Sequence, residues 1–551
     1  MAAQTVASVR SVGALSIRTD STRRRSDALL ALLICAATVL YLAQFPLSLW
    51  PGDEPKPLYQ ATRLLGGEVM YRDMFDLVLP GWTYLMAGLF WVFGTTLATA
   101  RMTAAVMHGI SAGVLFLICR QLAVRRELAG TAALAYLVVC QPAYPVASQH
   151  WLATALCVLL LAIALRPQPT WRRAAAMGVV VGMLIMVHQQ RGAFMGLGAA
   201  ACLVVEAVLA RWYRDASVRP RLAQQLSALG AGALLVVVPS IGWLVLRAGF
   251  EPVWEAVVTY PLVNYRMRTR WGFGGGLTQT LPQLLAVMPV VLAVTVPRAL
   301  ALGFRRADHQ QARALSILTV FSLFSILSVW YFPDFIHLAF IAPVFLVAMA
   351  EALGWALRLL PARAHRIVGP GVALALLAVI AWRLAQNLTG LPPGRPTFDY
   401  ASAFGRVRID QATIDWLEKL DALLDDVPSR TLYQHPNAGY TYLLLGARNP
   451  TRFEFVVHGY TSAKALQEVV GNLAAERPPY VITRSALVWP GDPIGRYIDE
   501  HYQPLTPTER VGTIIWQLQP QFDRVPERSN EDGGAARDGR RGKRDTNLRY
   551  P

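Results

Sequence analysis

Residues 80–94 read PGWTYLMAGLFWVFG, and whether this stretch crosses a bilayer fixes the side on which every later segment lies. Fifteen helical residues rise about 22 Å, short of a hydrocarbon core of roughly 30 Å. The stretch is also rich in Trp, Tyr and Phe, the residues that favour the membrane–water boundary. It therefore reads as an interfacial or re-entrant helix that does not cross. Eleven spans remain, at about 28–50, 98–119, 128–144, 150–166, 173–189, 193–211, 225–247, 281–300, 314–331, 336–358 and 367–386. With the N-terminus inside, the arginine clusters Arg120/Arg125/Arg126, Arg166/Arg172/Arg173, Arg211/Arg214/Arg219/Arg221, Arg298/Arg305/Arg306/Arg313 and Arg358/Arg363/Arg366 all fall on one side. Counting 80–94 as a span inverts every one of them against the positive-inside rule.

Composition agrees with a polytopic α-helical membrane protein. Of 551 residues, 54% are hydrophobic and 16% charged, and the mean hydropathy is +0.36. A soluble chain of this size carries about 25% charge. The net charge of +17 is spread over short loops, so it excludes a nucleic-acid reading. All five cysteines lie in apolar segments, which argues against a disulfide framework or a thiolate metal site. Arg23–Arg25 precede a first apolar run with no small-residue cleavage site, the pattern of a signal anchor behind a basic cytoplasmic N-terminus, 1–27.

Past the transmembrane region, 28–386, the character of the chain changes. IDQATIDWLEKLDALLDDV (409–427) and SAKALQEVVGNLAAE (462–476) have helical periodicity, and RTLYQHP, FEFVVHG and PYVITRS read as short strands. The expectation is a small extracytoplasmic α/β domain over 396–520, followed by a charged, disordered tail, 521–551. No Gly-rich nucleotide fingerprint or nucleophile elbow occurs in it.

The first outer loop, within 51–97, is the most unusual piece: WPGDEPKPLYQATRLLGGEVMYRDMFDLVLPGW (50–82). Asp53 and Glu54 stand directly beyond the first span, where a carboxylate must be solvated, paired or useful. One of them can simply cap the helix carrying Tyr59–Leu65. Arg72, Asp73 and Asp76 in the same loop weaken that purely structural account. Cations are scarce on this side, and Arg63, Arg72, Arg101, Arg191, Arg247, Arg266, Arg268, Arg270 and Arg383 are either snorkelling side chains or parts of an anion site. Their gathering beside the largest outer loops favours the anion site.

The order DE, then ATRLLGGEVMYRDMFD (61–76), then PGW-Y-L and an aromatic run ending FG resembles the first outer loop of the C-type multi-spanning glycosyltransferases. The branch is that of the protein O-mannosyltransferases and lipid A aminoarabinose transferases, with their bacterial relatives. TARMTAAVMHGISAGVLFLICRQL (99–122) is similar to that branch's next span, YFPDFIHLAFIAPVFL (331–346) to a late one, and YTYLLLGARNPTRFEFV (440–456) to its outer domain. The resemblance implies a C-type architecture of about 11 transmembrane helices. It implies sugar transfer from a polyprenyl-phosphate donor on the outer face, with inversion, in a bacterial inner membrane whose outer side is periplasmic. By carry-over Asp53 is the base and Glu54 assists or orients it. Where many relatives have a basic residue before the aromatic helix, this chain has Val78, so Arg72, Arg191 or the Arg266/Arg268/Arg270 group must hold the phosphate instead. No cofactor is expected, with divalent-metal dependence left open, and the acceptor is a glycan, lipid or protein.

Other polar residues fit either role. His188-Gln189-Gln190-Arg191 reads as a hydrated helix cap or as a lining for the carrier phosphate, which places Gln189 with Arg191 in the site. Asp334 and His337, one helical turn apart, read as a cap with an interfacial His or as a contact for sugar or acceptor. Two other classes compete: a flippase for lipid-linked glycan and a membrane scaffold. No internal inverted repeat supports the first, and a scaffold has no use for DE at the membrane edge.

Overall fold

A computed structural model describes residues 21–45, 47–50, 52–214, 221–263, 282–305, 308–329, 335–361, most of 368–382, 397–436, 439–456, 458–459, 461–484, 488–505 and 512–523. The chain opens with helix α1 (Ser21–Leu42), followed by α2 (Pro55–Leu65) and α3 (Gly81–Phe93). The bundle continues with α4 (Leu97–Gln121), α5 (Arg126–Ala135), α6 (Gln149–Ala164), α7 (Trp171–Val187), α8 (Gln189–Tyr213) and α9 (Leu222–Ala248). After the short α10 (Phe250–Trp254) and α11 (Tyr260–Val263) come α12 (Pro282–Arg305), α13 (His309–Val329) and α14 (Phe335–Arg358).

Six described helices are long and apolar enough to cross a membrane, those over Arg24–Leu42, Leu97–Gln121, Gln189–Tyr213, Leu222–Ala248, His309–Val329 and Ile336–Arg358. The expected spans at 150–166 and 173–189 form helices of 16 and 17 residues. The deciding stretch forms α3, a helix of 13 residues and about 20 Å. One expectation needs correction: the first span ends at Leu42, before Pro46, and does not run to residue 50. Beyond it, Ser48 bridges to Arg408 in the C-terminal domain.

Polar residues start these helices where their N–H groups lack partners. Thr96, Ser148 and Thr170 accept from Thr99, His150 and Arg173 at 3.1, 3.2 and 3.2 Å. Close helix contact is made by small residues: a Cβ on Gly178 would stand 2.0 Å from the Leu229 carbonyl oxygen, and one on Gly232 2.3 Å from that of Ala175. Several expected arginine clusters meet at one end of the bundle. Arg120 and Arg126 pair with Asp27 at 3.0 and 2.7 Å, and Arg173 and Arg313 converge on Glu206.

The C-terminal domain begins with the hairpin β1 (Thr397–Ser402) and β2 (Gly405–Asp410), then α15 (Gln411–Leu424) with Asp410 as its cap. Strands β3 (Leu432–His435), β4 (Tyr480–Arg484), β5 (Tyr502–Pro504) and β6 (Thr513–Leu518) form a sheet ordered β3-β4-β6-β5, with β3 and β4 parallel and the other pairs antiparallel. Helices α16 (Thr441–Leu445), α17 (Ala463–Glu476) and α18 (Pro493–His501) connect them. The described residues of FEFVVHG form no strand. Phe453, Glu454 and Val456 are buried against the first outer loop, so their apolar character serves docking and not a sheet.

Candidate active site

Asp53 and Glu54 are adjacent in sequence and opposite in environment. Glu54 is fully buried. It does not cap α2, since no side-chain cap bond forms there. Its Oε1 accepts from the Ala147 N–H at 2.6 Å, while Oε2 accepts from Arg101 Nη2 at 2.7 Å and from the Tyr440 hydroxyl. Arg101 further donates to the carbonyls of Pro145 and Ser48. One carboxylate thus joins the first loop, α4, the segment before α6 and the C-terminal domain. Burial first, then the Glu54 charge, raise the Tyr440 phenol well above its ordinary value, so it stays a donor. Asp53 is exposed, and its backbone N–H donates to the Tyr144 hydroxyl at 2.8 Å. Gly52, at φ +148°, lets that ring approach: a Cβ there would lie 2.7 Å from the Tyr144 oxygen.

The rest of the loop is braced from both sides. Lys56 Nζ lies 3.1 Å from Asp76 Oδ1. Burial lowers its pKa, but the carboxylates of Asp76, Glu454 and Asp53 outweigh burial and hold it above the usual lysine value. Asp76 also accepts from the Val78 N–H at 3.1 Å. Gln189 grips the same turn with both ends of its amide, donating to the Leu77 carbonyl at 2.7 Å and accepting from the Leu79 N–H at 3.2 Å. The turn then enters α3 at Gly81, where a Cβ would stand 2.6 Å from the Met186 carbonyl oxygen. Arg72 is exposed and makes a two-pronged bond to Asp73, whose carboxylate also accepts from the Val69 N–H at 2.7 Å.

A buried pair bolts this loop to the C-terminal domain. Arg63 bonds Glu454 and Glu68, each at 2.6 Å, and Glu454 also accepts from Gln60 at 3.1 Å. Tyr59 stacks on Tyr442 at 4.9 Å and accepts from the Asn449 N–H at 2.9 Å.

Arg191 is buried, with its guanidinium donating to Thr154 Oγ1 at 3.1 Å and to the carbonyls of Phe340 and His150 at 2.8 and 3.4 Å. His188 Nδ1 caps α8 by accepting from the Arg191 N–H at 3.4 Å. His150 stands between His188 and His337, ring centroids 5.1 and 5.3 Å away, and stacks on Phe340. Arg266, Arg268, Arg270 and Asp334 lie outside the described residues. Among the described residues no cluster of His, Cys, Asp and Glu is arranged to hold a metal ion.

The structure therefore gathers Asp53, Glu54 and Asp76 on one loop, with Gln189 gripping its far end and Asp73 closing the turn between. Lys56, Tyr144, His150 and Tyr440 were not singled out by sequence. Lys56 sits between prolines beside DE, a signal that was readable; Tyr440 is 386 positions from Glu54 and gave none.

No family model matches the chain, and no curated protein does. Solved structures match at the level of fold. ArnT from Cupriavidus metallidurans in the apo state superposes with a TM-score of 0.55 at 14% identity, over 91% of this chain and 99% of that one. The same protein bound to undecaprenyl phosphate gives 0.51 at 13% identity, over 90% and 98%. The chain has the fold of the C-type glycosyltransferases, a polytopic helical bundle with a small C-terminal domain.

Proposed function

We propose that this chain transfers a sugar from a polyprenyl-phosphate donor to an acceptor hydroxyl on the outer face of a bacterial inner membrane, with Asp53 as the base and inversion at the anomeric carbon. The observation that carries this reading is the unequal treatment of two neighbouring carboxylates. Glu54 has both oxygens engaged by protein donors, and Asp53 stands exposed beside it. A carboxylate so placed can accept the acceptor proton, and its saturated neighbour fixes the backbone that carries it. Glu54 is then a positioning residue.

The atoms balance without a cofactor. The acceptor O–H proton passes to Asp53 as the acceptor oxygen bonds to the anomeric carbon. The bond from that carbon to the donor phosphate breaks, and its electron pair leaves on the phosphate oxygen. Cations must meet that growing charge. Lys56, held protonated 3.1 Å from Asp76, which itself stands two residues before Val78, is assigned the phosphate contact that Val78 cannot make. Arg266, Arg268 and Arg270 stay assigned to the donor side, and His337 to sugar or acceptor. Arg191 serves from beneath by fixing the helix ends. The fold shared with a protein seen bound to undecaprenyl phosphate supports a polyprenyl-phosphate carrier.

The test is transfer by purified protein from a panel of polyprenyl-phosphate sugars to membrane-extract acceptors, with and without EDTA. Wild type is expected to transfer from at least one donor in EDTA, and folded Asp53→Asn to lose it. Transfer that survives in Asp53→Asn removes the base assignment. Wild type that binds lipid-linked glycan and never cleaves it removes the reaction.

A further inference from the structure

A pocket lies in the C-terminal domain, lined by none of the residues of the loop that carries Asp53. Its cavity of about 400 Å³ is walled by Thr483 of β4, Ile514 and Trp516 of β6, Trp489 and Pro490 before α18, and Asp499 on α18. That volume falls in the range of small-molecule sites, about 300–1,000 Å³. The pocket lies between the face of the sheet that carries Thr483, Ile514 and Trp516 and the helix α18.

Its walls are fixed before any ligand arrives. Trp516 Nε1 donates to Thr483 Oγ1 at 2.8 Å, so the indole N–H is engaged within the protein and the ring remains. Trp489 stacks on His458 at 5.0 Å and lies 5.7 Å from His435. Asp492, which caps α18 through the Ile494 N–H at 3.0 Å, is held by buried His435 at 2.5 Å. The segment bearing Trp489 is thus tied to the end of β3.

We infer that this pocket is a saccharide-binding site, in which a sugar ring packs its C–H face on Trp489 and Trp516 and donates hydroxyls to Asp499. Among the described residues no Lys or Arg lines it, so a phosphate or carboxylate ligand would meet Asp499 with nothing to neutralise it. A peptide adding itself to the sheet is disfavoured as well. β4 and β6 are the inner strands, their ladder groups are already paired, and no edge is open there. A neutral ring with an apolar face and polar rim suits two half-buried indoles and one carboxylate.

The site is independent of the transfer reaction and is tested without donor. Saturation-transfer NMR on the full chain in lipid nanodiscs would use soluble mono- to tetrasaccharides: neutral hexoses and pentoses, amino sugars and uronates. Wild type is expected to saturate the C–H protons of one ring face of at least one saccharide. Trp489→Ala and Asp499→Asn should each weaken that binding about tenfold, with Trp489→Phe recovering most of it and Asp53→Asn leaving it unchanged. Retention of an ordered domain in Trp489→Phe and Asp499→Asn keeps the test valid should Trp489→Ala not fold. Absence of binding by every saccharide overturns the inference. So does binding that the pocket variants leave intact, or a signal from a tryptic peptide mixture in place of sugars.

Discussion

Two buried glutamates hold the two ends of this bundle, and they are treated differently. Glu206, away from the C-terminal domain, takes two arginines: Arg173 Nη1 at 2.9 Å and Arg313 Nε at 2.5 Å. Those arginines also donate to the carbonyls of Ala164, Leu165 and Arg166, so the cluster staples α6, α7, α8 and α13. Glu54, beneath the C-terminal domain, takes one arginine, one backbone N–H and one phenol, and its neighbour Asp53 faces outward. A buried charge persists only when paired, and at the first end pairing is the whole purpose. At the second, the paired Glu54 stands next to an exposed carboxylate, Asp53.

That contrast is broken most directly at Asp53. Asp53→Asn is expected to cut transfer by about 10²- to 10⁴-fold, the range for a positioned general base, with the melting temperature unchanged. Initial rates and thermal unfolding of the same preparation check it. The reverse pattern belongs to Glu206. Glu206→Ala leaves two buried arginines uncompensated, at a cost of about 3–5 kcal/mol in stability. The rate per folded molecule should hold, measured by active-site titration below the melting temperature. Glu54→Gln lies between them. It keeps shape but loses the charge facing Arg101, so both properties should fall, stability by about 1–3 kcal/mol and transfer by about tenfold. A Glu54→Gln variant with normal stability and no transfer would make Glu54 the base.

The sequence was legible where chemistry is local. The fifteen residues of PGWTYLMAGLFWVFG predict a short helix, and α3 has 13 residues. Arg101 stood out as a cation on a cation-poor side, but its partner did not, because a salt bridge leaves no mark in composition. His188–Arg191 announced a polar helix start, and the structure uses His188 as the cap; the grip of Gln189 on Leu77 and Leu79 needed coordinates. FEFVVHG misled because burial against another part of the chain yields the same apolar letters as a strand. The helix carrying Tyr59–Leu65 was legible; the pairing of Lys56 with Asp76 was not, because it joins residues distant in sequence.

The smallest effect is expected at Tyr440, and it separates a brace from a catalyst. Tyr440→Phe removes one donor from Glu54 and leaves Arg101 and the Ala147 N–H, a loss of about 1–2 kcal/mol in stability and a few-fold in transfer. The pH dependence has a fixed sign. Burial, then Glu54, raise the folded phenol well above 10, so its contribution is complete below pH 10 and is lost as pH rises towards the folded value. Melting temperatures should therefore be flat in this respect from pH 6 to about 9 and fall above 10, less steeply in Tyr440→Phe than in wild type. If Tyr440→Phe abolished transfer as deeply as Asp53→Asn while melting normally, the phenol would be meeting the substrate. Glu54 would then be one member of a reacting set, and the division between a buried carboxylate and an exposed one would fail.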